Sequence, residues 1–362
     1  MSNLTKTYDA EIPCLRPISN GVKRIIVAMS GGVDSSVAAV LLKKDGFDVE
    51  GAFMRLSDLP SSKEAEKRAK KIAKILGFRI HIFNFKKEFK KKIIDCFLKE
   101  YKAGRTPNPC VSCNKEIKFG IFLKKAQSLN ADYIATGHYA RLIQKGRNLK
   151  LLSARDKEKD QSYFLWRLNQ KQLKHILFPI GGHTKSQIRN LAKKLKLPVF
   201  DVRDSQEICF VQDTVNDFLK SHLKPNPGKI IDINGGLIGF HQGLHFYTIG
   251  QRKGIGLAGG PYWVSAKDLK KNALIVAKNE KYLYGKELIV KNVNWISGKP
   301  SSLPLKIKIK IRYRHQPSGA VITEKIKTKY KIVFNKPQRA VTSGQSAVFY
   351  EGQELLGGGI IG

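Results

Sequence analysis

Apolar and polar positions fall into two regimes along this chain, dividing near residue 215. In the first, short apolar runs alternate with longer amphipathic stretches. Ile25-Ile26-Val27-Ala28-Met29 reads as a buried strand, and Val37 to Leu42 belongs to the helix that follows. Asp48 to Met54 is a second strand, Ser61 to Leu76 a lysine-rich helix, Arg79 to Phe85 a third strand and Lys86 to Ala103 another helix. Gly104 to Lys115 carries two prolines that predict a stiff, extended loop. A helix is expected to start near Cys113, with Phe119, Phe122, Leu123, Ala126 and Leu129 on one face. Tyr133 to Thr136 is the next strand, Gly137-His138-Tyr139 a turn, Arg141 to Leu152 a hairpin and Asp156 to Gln161 a charged loop, with helix from Tyr163 onward. Thr184-Lys185-Ser186-Gln187 is a capping box before a helix over Ile188 to Leu197, which Pro198 stops. Strands alternating with helices predict a doubly wound parallel sheet covered on both faces, with ligands beyond the carboxyl ends of its strands.

In the second regime helical periodicity fades. Pro227-Gly228, Asn234-Gly235-Gly236 and Gly254-Ile255-Gly256 mark turns between short strands. Further on, Leu305, Ile307, Ile309, Ile311 and Tyr313 alternate with Lys306, Lys308, Lys310, Arg312 and Arg314. A period of two puts the apolar set in a core and five cations on the opposite face, either a solvated strand or a nucleic-acid-facing one. Strands at Tyr330–Phe334 and Ala347–Tyr350 complete a small β-barrel. The expected organisation is a catalytic α/β domain over 1–215, a central β-rich domain over 216–284 and a C-terminal barrel over 285–362, with residues 1–22 as a loose lead-in.

The 66 basic and 29 acidic residues leave a formal charge of +37, which favours a polyanionic partner and salt-sensitive association, although lysine is plentiful throughout and part of the charge is compositional. No apolar run reaches the ~20 residues needed to span a bilayer and no signal peptide is evident, so a cytoplasmic protein without membrane contact is expected. In a reducing compartment the five cysteines, Cys14, Cys96, Cys110, Cys113 and Cys209, point to catalysis or metal binding rather than a disulfide framework. Cys14 and Cys96 read as incidental, Cys96 on an apolar helical face.

The stretch Ala28-Met29-Ser30-Gly31-Gly32-Val33-Asp34-Ser35-Ser36 between strand and helix carries the clearest chemistry. Its turn aims backbone N–H groups and a helix N-terminus at one spot, as an anion requires. The glycines allow positive φ and close approach, Ser30, Ser35 and Ser36 offer hydroxyls to phosphate oxygens, and Asp34 offers a carboxylate to a phosphate-bound metal. No Gly-Lys-Ser/Thr follows, so this is not a Walker A loop. The stretch resembles the pyrophosphate loop of ATP-pyrophosphatases, which split ATP into AMP and pyrophosphate while adenylating a substrate. Cys110-x-x-Cys113 alone is ambiguous among half a zinc site, a redox pair and chance; a zinc site would have to recruit Cys209 and a distant His. At a helix N-terminus beside Lys115 and Lys118 a cysteine is expected to have a lowered pKa. Cys209, with apolar neighbours, reads on its own as a buried structural thiol.

Taken in order, Ser-Gly-Gly-Val-Asp-Ser, Thr-Pro-Asn-Pro-Cys-x-x-Cys-Asn, Thr-Gly-His-Tyr-Ala, Lys-Asp-Gln-Ser-Tyr-Phe, Ser-Gln-Glu-Ile-Cys-Phe, Tyr247 to Gly254 and Pro337 to Val341 resemble the bacterial tRNA-specific 2-thiouridylases. The resemblance runs from about residue 23 to the C-terminus. It implies an adenine nucleotide alpha hydrolase-like catalytic domain and replacement of the 2-oxygen of the wobble uridine, tRNA position 34, by sulfur. It implies ATP with Mg2+ on Ala28 to Ser35, framed by Met54 and Gly137, and no resident metal. Cys209 would take sulfur as a persulfide from a sulfur-relay protein or cysteine desulfurase, with Cys113 as its partner. Asn108, Pro109 and Cys110 would lie at the target base, and Lys159, Asp160, Gln161, Arg312, Tyr313, Gln345 and the neighbouring His138 would contact tRNA. Some members carry Asp at Cys110; with cysteine there, Cys110, Cys113 and Cys209 have the residue types to ligate an iron–sulfur cluster that delivers sulfide, but the persulfide route is the preferred reading. An amide- or lysidine-forming ATP-pyrophosphatase would not need the cysteine pair, and a non-catalytic RNA-binding protein would not need Asp34 or the loop serines.

Overall fold

The computed structural model describes residues 22–202, 208–298, 300 and 302–362. The lead-in through residue 21, Cys14 and the Ser205-Gln206-Glu207 part of the last cysteine motif lie outside the described residues. The chain opens with β1 (Arg24–Ala28), α1 (Val33–Lys44), β2 (Asp48–Arg55), α2 (Pro60–Leu76) and β3 (Ile80–Asn84). It continues through α3 (Lys86–Phe89), a π-helical turn over Lys90–Ile94, and α4 (Asp95–Lys102). Next come α5 (Pro109–Cys113), a second π-helical segment over Asn114–Ile121, α6 (Phe122–Gln127) and β4 (Tyr133–Ala135). A hairpin of β5 (Ala140–Lys145) and β6 (Asn148–Ser153) precedes α7 (Gln170–Leu173), β7 (Ile176–Leu177) and α8 (Lys185–Lys194).

Five of these strands form a parallel sheet in the order β3-β2-β1-β4-β7. Period-two alternation along β1 shows why it needs helices on both faces. Ile26 and Ala28 join one core with Phe97, Phe122 and Ile134, whereas Ile25 and Val27 join the other with Val37, Ile72 and Ile188. The expected doubly wound sheet is present.

After α9 (Val215–His222), four strands, β8 (Gly228–Asp232), β9 (Leu237–His241), β10 (Trp263–Asp268) and β11 (Ala273–Ala277), form a small sheet in the order β10-β11-β8-β9. The remaining strands are β12 (Tyr284–Trp295), β13 (Leu305–Lys310), β14 (Ser318–Ile326), β15 (Lys329–Arg339), β16 (Ser346–Glu351) and β17 (Glu354–Ile361). They follow the order β12-β15-β14-β13-β16-β17, and pairing of β12 with β17 closes a six-stranded barrel. The β5–β6 hairpin, which follows β4 of the parallel sheet, extends the barrel sheet where Leu152 meets Glu354.

Three local expectations are corrected. The helix after the proline loop starts at Pro109, not near Cys113, because Asn108 caps it and accepts from the Val111 N–H at 3.4 Å. The stretch from Tyr163 is a single 3-10 turn, Ser162–Leu165, because its aromatics are tied to the barrel. The Tyr163 hydroxyl donates to Ser346 O at 3.0 Å, and Trp166 Nε1 donates to Ser346 Oγ at 3.1 Å. Finally, β13 ends at Lys310, so the five cations do not share one open face. Lys306 and Lys308 are exposed, but Lys310 lies 3.8 Å from Asp160. Arg312 donates to Ile249 O, Ala340 O and Thr342 Oγ1 at 3.2, 2.8 and 2.9 Å, joining the central domain to the barrel. No helix among the described residues is long and apolar enough to cross a membrane.

Candidate functional site

The strand order reverses direction at β1, which places a crevice where β1 ends between β2 and β4. The glycine loop leaves β1 at this point. Ala28 and Met29 are buried at the strand's end, and Val33 is buried where α1 begins. Gly31 has φ +73°, and a Cβ on it would lie 2.2 Å from Ala65 O of α2, which crosses above the loop. Gly32 is extended and leads directly into α1. Ser30 is exposed and holds the loop through its N–H, which donates to Ser35 Oγ at 3.1 Å. Ser35 Oγ in turn donates to Gly32 O at 3.2 Å. Ser36, expected to reach a phosphate, is fully buried and donates to Gly32 O at 2.7 Å. It shapes the loop instead.

Met54, half-buried at the end of β2, and Gly137, just beyond β4, flank the loop on either side. A methyl group on Gly137 would lie 2.7 Å from Ser35 N and 2.8 Å from Asp34 C, so β4 approaches the first turn of α1 as closely as only glycine permits.

Asp34 is already paired within the chain. Lys185 Nζ sits 2.8 Å from each of its carboxylate oxygens, and the Tyr139 hydroxyl donates to Oδ1 at 2.8 Å. Sequence reasoning missed Lys185 as a site residue. Its capping box marked where α8 begins, but nothing local says that the lysine crosses to the loop 151 residues earlier. With both oxygens bonded to an ammonium, Asp34 does not fit a resident metal. Among the described residues no three His, Cys, Asp or Glu side chains gather closely enough to hold a metal ion, and this holds for Cys110, Cys113 and Cys209 as placed.

The sulfur-bearing half of the site adjoins this loop. Gly137 touches it, and the next residue, His138, is buried with Nε2 3.4 Å from Lys118 Nζ. The charge of Lys118 acts on Cys110, Cys113 and Cys209 and tends to lower each thiol's pKa. The net shift is nevertheless upward, contrary to the expectation for Cys113. The helix starts one turn earlier than expected, so Cys113 ends α5 and is buried, and burial pushes its thiol up to about 11. Burial also raises Cys110. Cys209 is not the buried structural thiol expected; it opens to solvent on one side. The protein around its other sides, with Cys113 and Cys110 adding to the effect, pushes it up to about 12. Lys115 does not join this group and lies 3.9 Å from Glu116. Cys96 is exposed rather than packed on an apolar face. With Cys113 and Cys209 both raised, thiolate forms only as pH rises. Their iodoacetamide alkylation rates, read by peptide mass spectrometry, are expected to climb about tenfold per pH unit up to pH ~10. A plateau near pH 8 would contradict the burial described.

Several of the residues assigned to tRNA use their polar groups within the chain. Gln345 Nε2 donates to Thr106 O at 2.8 Å, and Thr106 N donates to Ser343 O at 2.9 Å, so the barrel clamps the chain just before Asn108, Pro109 and Cys110. Gln161 exchanges bonds with Tyr139, its Oε1 accepting from Tyr139 N at 3.0 Å. Asp160 is buried, and its carboxylate accepts from Ala154 N, Ser162 N and Ser162 Oγ at 3.0 to 3.1 Å. The Lys159 N–H donates to Asp156 Oδ1 at 3.3 Å. Tyr313 is half-buried and packs against Phe164 with ring centroids 4.4 Å apart.

The switch-point loop, its two flanking strand ends and the appended β modules define an ATP-binding domain of the ATP-pyrophosphatase class. Family models match along the chain: the tRNA methyl transferase HUP domain over residues 23–213, the tRNA methyl transferase PRC-barrel domain over 216–278 and the aminomethyltransferase beta-barrel domain over 285–361. The tRNA-specific 2-thiouridylase MnmA of Halothermothrix orenii is 46% identical over 354 residues, covering 93% of this chain and 98% of the relative. The protein of that name from Clostridioides difficile is 44% identical over 355 residues, covering 94% and 98%. Among solved structures, the U34-tRNA thiolase NcsA from Methanococcus maripaludis with its [4Fe-4S] cluster aligns with TM-score 0.38 and 18% identity, covering 57% of this chain and 67% of that one. The chain belongs to the tRNA-specific 2-thiouridylase family.

Proposed function

We propose that this protein thiolates C2 of the wobble uridine of tRNA, using ATP to activate the base and a persulfide on Cys209 to supply sulfur. One observation carries the reading: Gly137 touches the nucleotide loop and its neighbour His138 touches Lys118, whose charge reaches all three thiols. Activation and sulfur delivery thus adjoin across one peptide unit.

ATP enters with its magnesium, its phosphates on the loop N–H groups and the Ser30 hydroxyl, its adenosine between Met54 and Gly137. The uracil C2 carbonyl is a poor electrophile. Attack of its oxygen on the α-phosphorus expels pyrophosphate and makes that oxygen part of a leaving group. Sulfur then arrives as Cys209–S–SH, loaded by a sulfur-relay protein or a cysteine desulfurase. In one balanced route the outer sulfur attacks C2 and AMP leaves. Cys113 thiolate then attacks Cys209 Sγ, the electron pair of the broken S–S bond departs on the uridine's sulfur, and a Cys113–Cys209 disulfide remains. In the other, Cys113 attacks first and releases hydrosulfide, which attacks C2. Either way an external dithiol returns two electrons to the disulfide. The wobble base must leave its stack to reach Asn108, Pro109 and Cys110, where Tyr313 and Phe164 present aromatic faces. Lys159, Asp160, Gln161, Arg312 and Gln345 serve tRNA through the loops and domain junctions they hold.

The test is incubation of the purified protein with unmodified tRNA, ATP–magnesium and a persulfide donor, with 2-thiouridine read by mass spectrometry. Product is expected without any cluster and is expected to be lost in Cys113→Ala and in Cys209→Ala. Product only after anaerobic iron–sulfur reconstitution would overturn the persulfide route, and tRNA binding without product under either condition would overturn the catalytic reading.

A further inference from the structure

The π-helical segment Asn114–Ile121 interrupts an otherwise α-helical run directly after Cys113. In an α-helix, with 3.6 residues per turn, Cys113 and Lys118 would project about 140° apart. A π turn, bonded from i to i+5, brings residues five apart onto one face, about 50° from each other. It therefore puts Lys118 on the face of the helix that carries Cys113. Gly120 permits the turn: a Cβ there would lie 2.7 Å from Lys115 O, a backbone oxygen five residues earlier.

The partners of Lys118 define its role further. An ammonium only donates, so His138 Nε2 accepts from it, and Nδ1 carries the ring proton toward Thr136 Oγ1 at 2.7 Å. Burial, reinforced by Lys118, holds the His138 pKa well below its usual value, so the imidazole is neutral. His138 thus orients the lysine without adding a charge. The titratable groups facing Lys118 are Cys110 and Cys113 from α5, Cys209 from the segment before α9, and His138 from the turn after β4.

We propose that Lys118 is the counter-cation of sulfur transfer, a positioning residue placed by the π turn to stabilise the sulfur anion as it forms on Cys113 or on the Cys209 persulfide. The proposal rests on the sulfur-transfer reading of the site. The thiol proton goes to solvent, and the ammonium keeps its own protons. Burial alone would leave the sulfurs protonated, and Lys118 opposes that where the anion must appear.

The experiment measures iodoacetamide alkylation of Cys113 and Cys209 at pH 8 by peptide mass spectrometry, with exposed Cys96 as internal reference. Lys118→Met is expected to slow both cysteines about tenfold or more relative to Cys96, the effect of removing an opposite charge at close range. Lys118→Arg is expected to restore most of the rate. Gly120→Ala, which keeps the lysine but opposes the π turn, is expected to slow both cysteines as well. Wild-type rates in Lys118→Met would overturn the proposal, and so would a slowing that Lys118→Arg fails to rescue, since that is the mark of a merely structural role. Alkylation needs neither tRNA nor ATP. A wild-type protein that makes no 2-thiouridine but shows the Lys118-dependent rates would therefore overturn the proposed reaction and leave the electrostatic role of Lys118 supported.

Discussion

Gly137→Ala is expected to weaken ATP binding by about a hundredfold, close to the upper end of the 1–3 kcal/mol that forced overpacking costs. The added methyl would meet Ser35 N at 2.7 Å, Asp34 C at 2.8 Å and Asp34 Cβ at 3.0 Å. None of these is the end of a flexible side chain. Relief requires the first turn of α1 to move, and that turn is the one proposed to present N–H groups to the phosphates and holds Asp34 on Lys185. Titration calorimetry with ATP–magnesium reads the loss, and a thermal unfolding scan checks that the variant folds. An affinity within threefold of wild type would show that the loop tolerates the displacement.

Asp160→Ala is expected to destabilise the fold by about 3–5 kcal/mol, the range for removing one partner from a buried ionic group. The substitution strips the acceptor from two backbone N–H groups, at Ala154 and Ser162, and from the Ser162 hydroxyl, and leaves Lys310 without its carboxylate. Ser162 Oγ also meets the Tyr350 hydroxyl at 3.1 Å, so the damage reaches the barrel. Asp160→Asn keeps an acceptor and is expected to cost less, about 1–2 kcal/mol. Urea unfolding followed by fluorescence distinguishes two roles. A carboxylate that acts only through the RNA surface would leave the unfolding midpoint unchanged and alter tRNA affinity alone.

What could be seen in the sequence divides along physical lines. The parallel sheet was visible because β1 and β4 are short apolar runs and β2 a short strand-like stretch between helical ones, and such patterns are a local property. The glycine loop was visible because Gly31 and Asp34 occupy fixed offsets from a strand end. The capping box at Thr184 located α8 for the same reason. The Lys185–Asp34 pair was not visible, since it joins residues 151 apart and nothing near either announces the other. The π turn was hidden because its pattern of apolar positions, Ile117 and Phe119 among them, reads equally well as an α-helix. The Cys113 shift was misjudged because proximity in sequence to Lys115 and Lys118 says nothing about burial, and burial outweighs the charge. Arg312 belonged to an alternating stripe, yet the strand stops two residues before it and carbonyls of two domains capture it.

The clamp on Thr106 has a consequence for the order in which the protein becomes competent during synthesis. The nucleotide loop, its flanking strands and Lys185 all lie within the first 185 residues and can assemble while the ribosome is still extending the chain. The contacts that set Thr106 and Pro107, and with them the start of the Pro109–Cys113 turn, come from Ser343 and Gln345, more than 230 positions later. Nascent chains therefore pass through an interval in which the ATP-binding half exists without a settled sulfur half, and only the segment carrying Ser343 and Gln345, just ahead of β16, ends it.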